Sequence, residues 1–143
     1  MASLTGANSV ITLGCTILFP VAQQLQGFAV DDVFDTEAVT TVETLMGVDN
    51  ILSAGWVATS KKQTFTLQSD SPSNALFDLI WQYQEANQEA LTLFGETTLK
   101  AIGRRFIMAR GFLTSYMPIP AVKKLIQPRK YTVEWQHIQP VNV

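Results

Sequence analysis

Hydrophobic and polar residues alternate along most of this 143-residue chain. The first example lies in residues 10–19, where Ile11 and Leu13 fall on one side and Thr12 and Gly14 on the other. A period of two places successive side chains on opposite faces of an extended strand. Similar short runs recur between turn-forming residues, so the pattern predicts about eight antiparallel β-strands with short connections.

One segment has a different period. Within residues 72–94, hydrophobic residues recur at steps of three, four and seven, which is typical of one face of a helix. Ser71 precedes Pro72, a residue suited to the first helical position, and Gly95 stands where helices commonly end. The pattern therefore predicts one long amphipathic helix over about 72–94. Its predicted polar face holds Gln82, Glu85, Gln88 and Glu89.

These patterns together predict an α+β, mainly β fold: an antiparallel β-sandwich or distorted barrel with one long flanking helix. Residues 1–9 are small and polar and are predicted to form an N-terminal arm, while residues 10–143 form a single domain. Residues 106–117 are hydrophobic at both alternating positions, unlike an antiparallel strand with one wet face. We expect that strand to be covered on one side by the helix and on the other by a second sheet or a neighbouring subunit.

The composition is 47% hydrophobic and only 15% charged, which favours a globular domain with part of its surface buried in an assembly. The single Cys15 excludes an internal disulfide and a cysteine metal cluster, and is predicted to lie in the core. Residues 1–8 lack a signal-peptide pattern, and no segment approaches the roughly 20 apolar residues of a membrane span. We therefore expect a cytoplasm-like compartment and no membrane anchor.

The charges are segregated along the chain although the net charge is only −2. Residues 31–96 hold eleven of the twelve acids and only two bases, whereas residues 100–130 hold the other eight bases and no acid. Either the two halves pair across the surface of one domain, or acidic and basic faces serve head-to-tail stacking of copies.

A search for catalytic chemistry finds no phosphate-binding loop, nucleophile elbow or zinc motif. The one histidine, His137, falls on the apolar side of the last predicted strand, which favours a core or interface role. Asp31 and Asp32 are adjacent, so on a strand they point to opposite faces and cannot converge on one bond. We therefore predict no enzyme activity, no cofactor and no metal site.

A nucleic-acid-binding role is an alternative, because the basic segment also holds aromatic residues able to stack on bases. The bases concerned are Lys100, Arg104, Arg105, Arg110, Lys123, Lys124, Arg129 and Lys130. The equally acidic first half of the chain counts against it.

Five motifs resemble a known family, and the similarity extends over roughly residues 25–140. They are MGVDNILSAGW at 46–56, SDSPS at 69–73, IGRRF at 102–106, RGFLTSY at 110–116 and VKKLIQPR at 122–129. Together they resemble bacteriophage tail proteins of myovirus-like phages, specifically phage tail tube proteins, which are similar to the tube proteins of type VI secretion. Similar sequences are also described as generic tail or fibre proteins.

The resemblance implies a structural virion protein with two packed sheets and a flanking helix. Subunits of this family form hexameric rings that stack head-to-tail into a hollow tube, through which DNA passes into the host without specific binding. The implied partners are further copies of the chain, a tail sheath, baseplate or initiator proteins and a terminator. The implied location is the phage tail, after synthesis and assembly in the bacterial host cytoplasm.

The resemblance and the charges together suggest roles for two sets of residues. The acids expected to face the lumen are Asp31, Asp32, Asp35, Glu37 and Glu43. The residues expected to contact other subunits or the sheath are Met46, Gly47, Val48, Asp49, Asn50, Arg104, Arg105, Arg110, Lys123, Lys124, Arg129 and Lys130. Two other roles remain open: a terminator or initiator ring of the same fold, and a monomeric ligand-binding barrel.

Overall fold

A computed structural model describes residues 9–28 and 33–142 of the chain. These ranges form nine strands and one helix, so the strand number is one more than the sequence predicts. The elements are β1 (Ser9–Cys15), β2 (Phe19–Gln24), β3 (Phe34–Thr36), β4 (Val42–Met46), β5 (Leu52–Trp56), β6 (Lys61–Leu67), α1 (Asn74–Asn87), β7 (Leu93–Leu99), β8 (Arg104–Tyr116) and β9 (Arg129–Asn142).

Seven strands form one sheet in the order β2-β1-β7-β8-β9-β6-β3, and all of its neighbouring strands run antiparallel. Strands β4 and β5 form a separate two-stranded sheet. The prediction of a mainly antiparallel β fold with one helix is confirmed. The sheet is open, with β2 and β3 at its edges, so a closed barrel is wrong for this subunit.

The seven-stranded sheet curls around its own core. Phe34 of β3 and Leu99 of β7 line the same apolar cavity of about 270 Å³, although β8, β9 and β6 separate their strands. The concave face carries the fully buried side chains. They are Ile11, Leu13, Cys15, Phe65, Leu67, Leu93, Tyr131, Val133 and Trp135. Alternating positions on β1, β6, β7 and β9 supply them, as the period of two requires.

The helix is shorter than the predicted range of 72–94. It runs from Asn74 to Asn87, and Gln88 ends it in the left-handed conformation with a φ of 53°. Residues 93–99 instead form β7, where Gly95 pairs with Leu13 of β1. A Cβ at Gly95 would lie 2.6 Å from the Thr12 carbonyl oxygen, so this glycine permits close strand packing and does not end the helix.

The helix packs on the concave face of the sheet. Phe77 and Ile80 are fully buried, and the Phe77 ring stacks on Tyr131 of β9 with centroids 4.2 Å apart. Next to them, the Tyr131 hydroxyl donates to Asn74 Oδ1 at 2.9 Å. This α-helix, the single one in the described ranges, is too short to cross a membrane.

Strand β8 changes its pairing near its centre. Gly95 pairs with Met108, whereas Leu93 pairs with Gly111, so β8 carries one extra residue between them. Arg110 lies in this bulge with a φ of 51°. The next residue is Gly111. A Cβ at this position would lie 2.3 Å from the Trp135 ring, so the close packing of the ring requires a glycine here.

Candidate functional site

The most exposed part of the described chain is residues 42–56, here called the hairpin, which comprises β4, β5 and their turn. Every residue of its two strands is exposed, and the strands pair only with each other. The Val57 N–H donates to the Thr41 carbonyl at 2.6 Å, which continues the pairing of the two strands at the base of the hairpin. A lone two-stranded hairpin is marginally stable in water, so this element is suited to packing against something else.

The two faces of the hairpin differ. Val42 pairs with Trp56 and Met46 pairs with Leu52, so these four side chains share one face. All four are more than half exposed, from 51% for Val42 to 74% for Trp56. The other face carries Glu43, Leu45, Ser53 and Gly55. The hairpin is therefore an amphipathic ribbon whose apolar face is uncovered in the subunit.

The turn of the hairpin holds the predicted contact residues Met46 to Asn50. The Gly47 N–H donates to the Ile51 carbonyl at 2.9 Å, and Asn50 has a φ of 67°, which closes the turn. Asp49 Oδ1 accepts a bond from the Ile51 N–H at 3.3 Å. Val48 projects fully into solvent.

A second exposed surface lies at the far end of β8, in residues 117–128, here called the basic loop. Val122 and Ile126 form a β-bridge, and the Gln127 N–H donates to the Ala121 carbonyl at 2.8 Å, so the loop has a defined shape. Lys123 and Lys124 are exposed at its tip. Four large hydrophobic side chains are exposed around them: Ile119, Val122, Leu125 and Ile126.

A cleft of about 630 Å³ separates the basic loop from the turn that follows β6. Leu125, Ile126 and Pro128 line one side, and Ser69 and Asp70 line the other. The loop therefore presents both a projecting apolar tip and an adjoining concave surface.

Arg129, predicted as a contact to other subunits, is bonded within its own subunit. Its side chain is only 8% exposed, and its guanidinium donates to Asp78 Oδ1 at 2.9 Å and to the Met117 carbonyl at 2.8 Å. Because Asp78 lies on the helix and Met117 begins the basic loop, Arg129 joins these two elements. We therefore leave Arg129 out of the surfaces proposed below.

Arg129 also affects Tyr131, which lies beside it in the core. Burial raises the pKa of Tyr131 to about 12, because the charged phenolate would lose its hydration; Arg129 opposes this shift and Asp78 adds to it. The phenol is thus kept neutral and can donate to Asn74.

The other predicted bases do not form one surface. Arg104 and Arg105 lie at the start of β8, where Arg105 Nε is 3.2 Å from Glu96 Oε1. Lys123 and Lys124 lie beyond its opposite end, and the exposed Lys130 is the second residue of β9. Strand β8 therefore separates the bases into two groups.

Arg110 lies between these groups, exposed on the convex face of the sheet. It lines a cleft of about 470 Å³ with Trp56, Phe112 and His137. His137 is exposed and pairs with Ala109, so of the two roles expected for this histidine the core position is wrong, and the interface role stays a prediction. Ile107 is also 41% exposed on β8, so this part of the convex face is uncovered in the subunit.

The predicted lumen acids are also divided. Asp35 and Glu37 are exposed on and just after the edge strand β3, whereas Glu43 lies on the hairpin. Asp31 and Asp32 lie outside the described residues. Across residues 9–28 and 33–142, no three histidine, cysteine or acidic side chains come together as metal ligands.

The sequence reasoning missed the two uncovered apolar surfaces. A signal for the hairpin was present, because Leu52, Ala54 and Trp56 alternate with small residues. Alternation alone does not reveal whether the apolar side is buried in the core or left exposed.

The fold and the motifs can be compared with known proteins. A model of the family described as "Tail fiber protein gp32" matches residues 2–139, nearly the whole chain. The chain belongs to the tail fiber protein gp32 family. This match confirms the resemblance to phage tail proteins, and the chain is a phage-tail structural protein. A search of curated protein sequences returned no match.

Solved structures with this fold come from contractile injection systems. A chain of "an Extracellular Contractile Injection System, PVC sheath-tube complex in extended state" is 12% identical, with a TM-score of 0.61 over 99% of this chain and 93% of that one. A chain of the "anti-feeding prophage (AFP) baseplate, 6-fold symmetrised" is 11% identical, with a TM-score of 0.58 over 100% and 96%. A chain of the AFP "tube terminating cap" is 10% identical, with a TM-score of 0.59 over 100% and 93%. At these identities the likeness concerns the fold.

Proposed function

We propose that this gp32-family chain is the tail tube subunit of its phage: six copies form a ring, and rings stack into a hollow tube through which DNA passes. The observation that carries the proposal is the open, curled sheet with β2 and β3 at its two edges. Unpaired edge strands expose backbone donors and acceptors and readily pair with another chain. Joining the edges of neighbouring copies would extend the sheets into one barrel around the lumen.

The uncovered convex face supports the same proposal. Ile107 and Arg110 are exposed there, and Phe112 is partly exposed. They lie in the strand whose two apolar faces predicted a cover by either a second sheet or a neighbouring subunit. The helix covers only the concave face, through Phe77 and Ile80. A neighbouring copy is therefore the proposed cover for the remaining apolar positions of β8.

Electrostatics supplies the proposed mechanism of DNA passage. A tube lined by lysine and arginine would bind phosphates at every ring and retain the DNA. We assign the lumen to the acids at and before β3, namely Asp31, Asp32, Asp35 and Glu37, because like charge repels the DNA backbone. Glu43 is left out of this set, because it lies on the separate hairpin.

The proposed location is the virion tail, assembled in the bacterial host cytoplasm. The proposed partners are further copies of the chain, the sheath, and the initiator and terminator proteins at the tube ends. Arg104, Arg105, Arg110 and Lys130 are exposed or partly exposed and are the proposed inter-ring or sheath contacts outside the hairpin and basic loop. No catalytic role, cofactor or membrane anchor is proposed.

A second candidate is a terminator or initiator ring of the same fold. The baseplate and cap chains match this chain with TM-scores of 0.58 and 0.59, close to the 0.61 of the sheath-tube chain. Localising the protein in intact phage tails separates the two roles. Labelling along the whole tail length supports the tube, whereas labelling at one end supports the terminator or initiator.

Negative-stain microscopy of the purified full-length protein tests ring formation. We expect six-fold rings or tubes about 100 Å across, the order of size for six domains of this mass in a ring. Monomers of 15.8 kDa at every concentration, and in the presence of purified baseplates, would overturn the proposal.

A further inference from the structure

The helix covers only part of the concave face of the sheet. It has 14 residues and is about 21 Å long, and its Phe77 packs against Phe65 and Tyr131. Strands β8 and β9 continue past this region to Arg104 and Asn142. The apolar cavity of about 270 Å³ lies against β3, β6, β7, β8 and β9, and its described walls include no residue of the helix. The helix therefore leaves this part of the concave face unfilled.

Hydrophobic side chains form most of the wall of the cavity, and none of the described wall residues is charged. The wall consists of Phe34, Leu99, Phe106, Met108 and Ile138, together with the polar residues Thr36, Gln63 and Thr97. At about 30 Å³ for each water-sized group, the volume accommodates roughly nine non-hydrogen atoms. A substituted benzene ring has this size.

Gln63 places hydrogen-bond donors without a partner in this wall. The residue is only 2% exposed, and its Oε1 accepts a bond from the Trp135 indole N–H at 3.0 Å. Because an indole N–H can only donate, this bond fixes which amide atom is the oxygen. The two N–H donors on Nε2 of Gln63 meet no acceptor among residues 9–28 and 33–142. A buried donor without an acceptor is destabilising, and a ligand that supplies the acceptor removes that cost.

Thr97 supplies a second donor in the same wall. It is also 2% exposed, and its hydroxyl donates to Met108 Sδ at 3.3 Å. Thioether sulfur is a weak acceptor, so the hydroxyl can turn to a better one. The cavity thus combines apolar walls with two buried side-chain donors, which is the usual composition of a small-molecule site.

We propose that this cavity binds a small, neutral, mostly apolar molecule that carries one hydrogen-bond acceptor, such as a ketone oxygen. The acceptor receives the Gln63 amide, and the apolar body packs against Phe106 and Ile138. Charged molecules are excluded, because an ion buried without a partner is costly. Binding fills the part of the core that the helix does not reach, and it stabilises the subunit by mass action. Ring formation is not required, so the site goes beyond the proposed function.

Titration of the full-length protein with acetophenone tests the site. Acetophenone is a neutral ketone on a benzene ring, and the four methionines can be labelled with ¹³C in their methyl groups as reporters. Met108 lines the cavity, whereas Met46 lies on the hairpin and is 60% exposed. We expect a saturable shift of the Met108 methyl signal and an unchanged Met46 signal.

A cavity-filling variant locates the binding. Ile138→Phe adds volume to the wall, and we expect it to weaken acetophenone binding at least about tenfold. Ile107→Phe is the matched control, because Ile107 pairs with Gln139, next to Ile138, but is 41% exposed on the convex face. This control should bind acetophenone like wild type.

Gln63→Leu tests the acceptor. Isopropylbenzene has the same number of non-hydrogen atoms as acetophenone but no acceptor, and the ratio of the two affinities isolates the hydrogen bond. We expect this ratio to fall about fivefold from wild type to Gln63→Leu, the effect of one hydrogen bond. Using the ratio cancels any general loosening of the cavity, and the Met108 signal of the ligand-free variant checks its fold.

Three results would overturn the proposal. The first is no saturable Met108 shift up to the solubility limit, or an equal shift in Ile138→Phe. The second is an unchanged affinity ratio in Gln63→Leu, which contradicts the ligand class. The third is magnetisation transfer between the Met108 methyl and residues 1–8 in the ligand-free protein, which assigns the cavity to the chain itself. None of these results bears on ring formation, which the microscopy tests separately.

Discussion

Replacing Arg129 with methionine tests whether this arginine stabilises the subunit or contacts its neighbours. Methionine keeps most of the length and the apolar stem but removes the guanidinium. The change removes the guanidinium that donates to Asp78 Oδ1 at 2.9 Å and to the Met117 carbonyl at 2.8 Å. Asp78 Oδ1 keeps only the bond from the Trp81 indole N–H, at 2.9 Å. It also detaches the start of the basic loop from the helix.

The structure bounds the expected loss of stability. Removing one partner of a buried ion pair costs about 3–5 kcal/mol, because the remaining charge is left unpaired. The Asp78 side chain is 34% exposed and can be rehydrated, which lowers the expected loss to about 2–3 kcal/mol. Urea denaturation of the monomeric protein measures this free energy of unfolding. Lys130→Met is the matched control, because Lys130 is adjacent and exposed, and it should change stability by less than about 0.5 kcal/mol.

A double-mutant cycle with Asp78→Asn isolates the pair. We expect a coupling energy of at least about 1 kcal/mol, since the two side chains are in direct contact. Equal stabilities for Arg129→Met and Lys130→Met, combined with lost assembly only in Arg129→Met, would refute this reasoning. That result would restore Arg129 to the inter-subunit contacts predicted from the sequence.

Three further predictions concern the bulge, the lumen and the core phenol. Gly111→Ala should destabilise the subunit by about 1–3 kcal/mol in urea denaturation, because a buried indole ring lies 2.3 Å from the new Cβ; Gly55→Ala, with no atom within 4 Å, should be neutral. Asp35→Lys with Glu37→Lys should leave tube formation intact but lower DNA ejection from assembled phage, measured by nuclease protection; unchanged ejection would contradict a lumen position. Because the Tyr131 pKa is raised from 10.0 to about 12, the neutral phenol stabilises the fold fully below pH 10 and that stabilisation is lost as pH rises towards 12. The loss should reach about 2–3 kcal/mol in wild type and be absent in Tyr131→Phe, whereas equal pH profiles would rule out this origin.

The helix boundary illustrates what local patterns do not decide. Hydrophobic residues continue from Tyr83 through Phe94 at spacings compatible with a helix, and the sequence offers Gly95 as a plausible end. The chain instead leaves the helix at Gln88, because residues 93–99 pair with β1 on one side and β8 on the other. Pairing along two neighbouring strands outweighs helix propensity, and it depends on residues far away in sequence.

Arg129 illustrates the same limit for the candidate site. Its position in the basic segment predicted a contact with other subunits, as for Lys123 and Lys124 nearby. Its partner Asp78 lies 51 residues earlier in the chain, and only the packing of the helix on β9 brings the two together. A local charge pattern therefore does not distinguish a residue of a buried ion pair from an exposed binding residue.

The sequence by itself determined the class of this protein. The alternation of hydrophobic and polar residues predicts antiparallel strands, and one segment with a hydrophobic period of about 3.6 residues predicts the single helix. Five motifs indicate a phage tail protein. Tertiary structure decided which apolar surfaces stay uncovered. The curl of the sheet buries one face of each central strand, whereas the hairpin pairs only with itself and leaves its apolar face exposed. The physical reason is that side-chain period is a property of one segment, whereas burial depends on what every other segment covers.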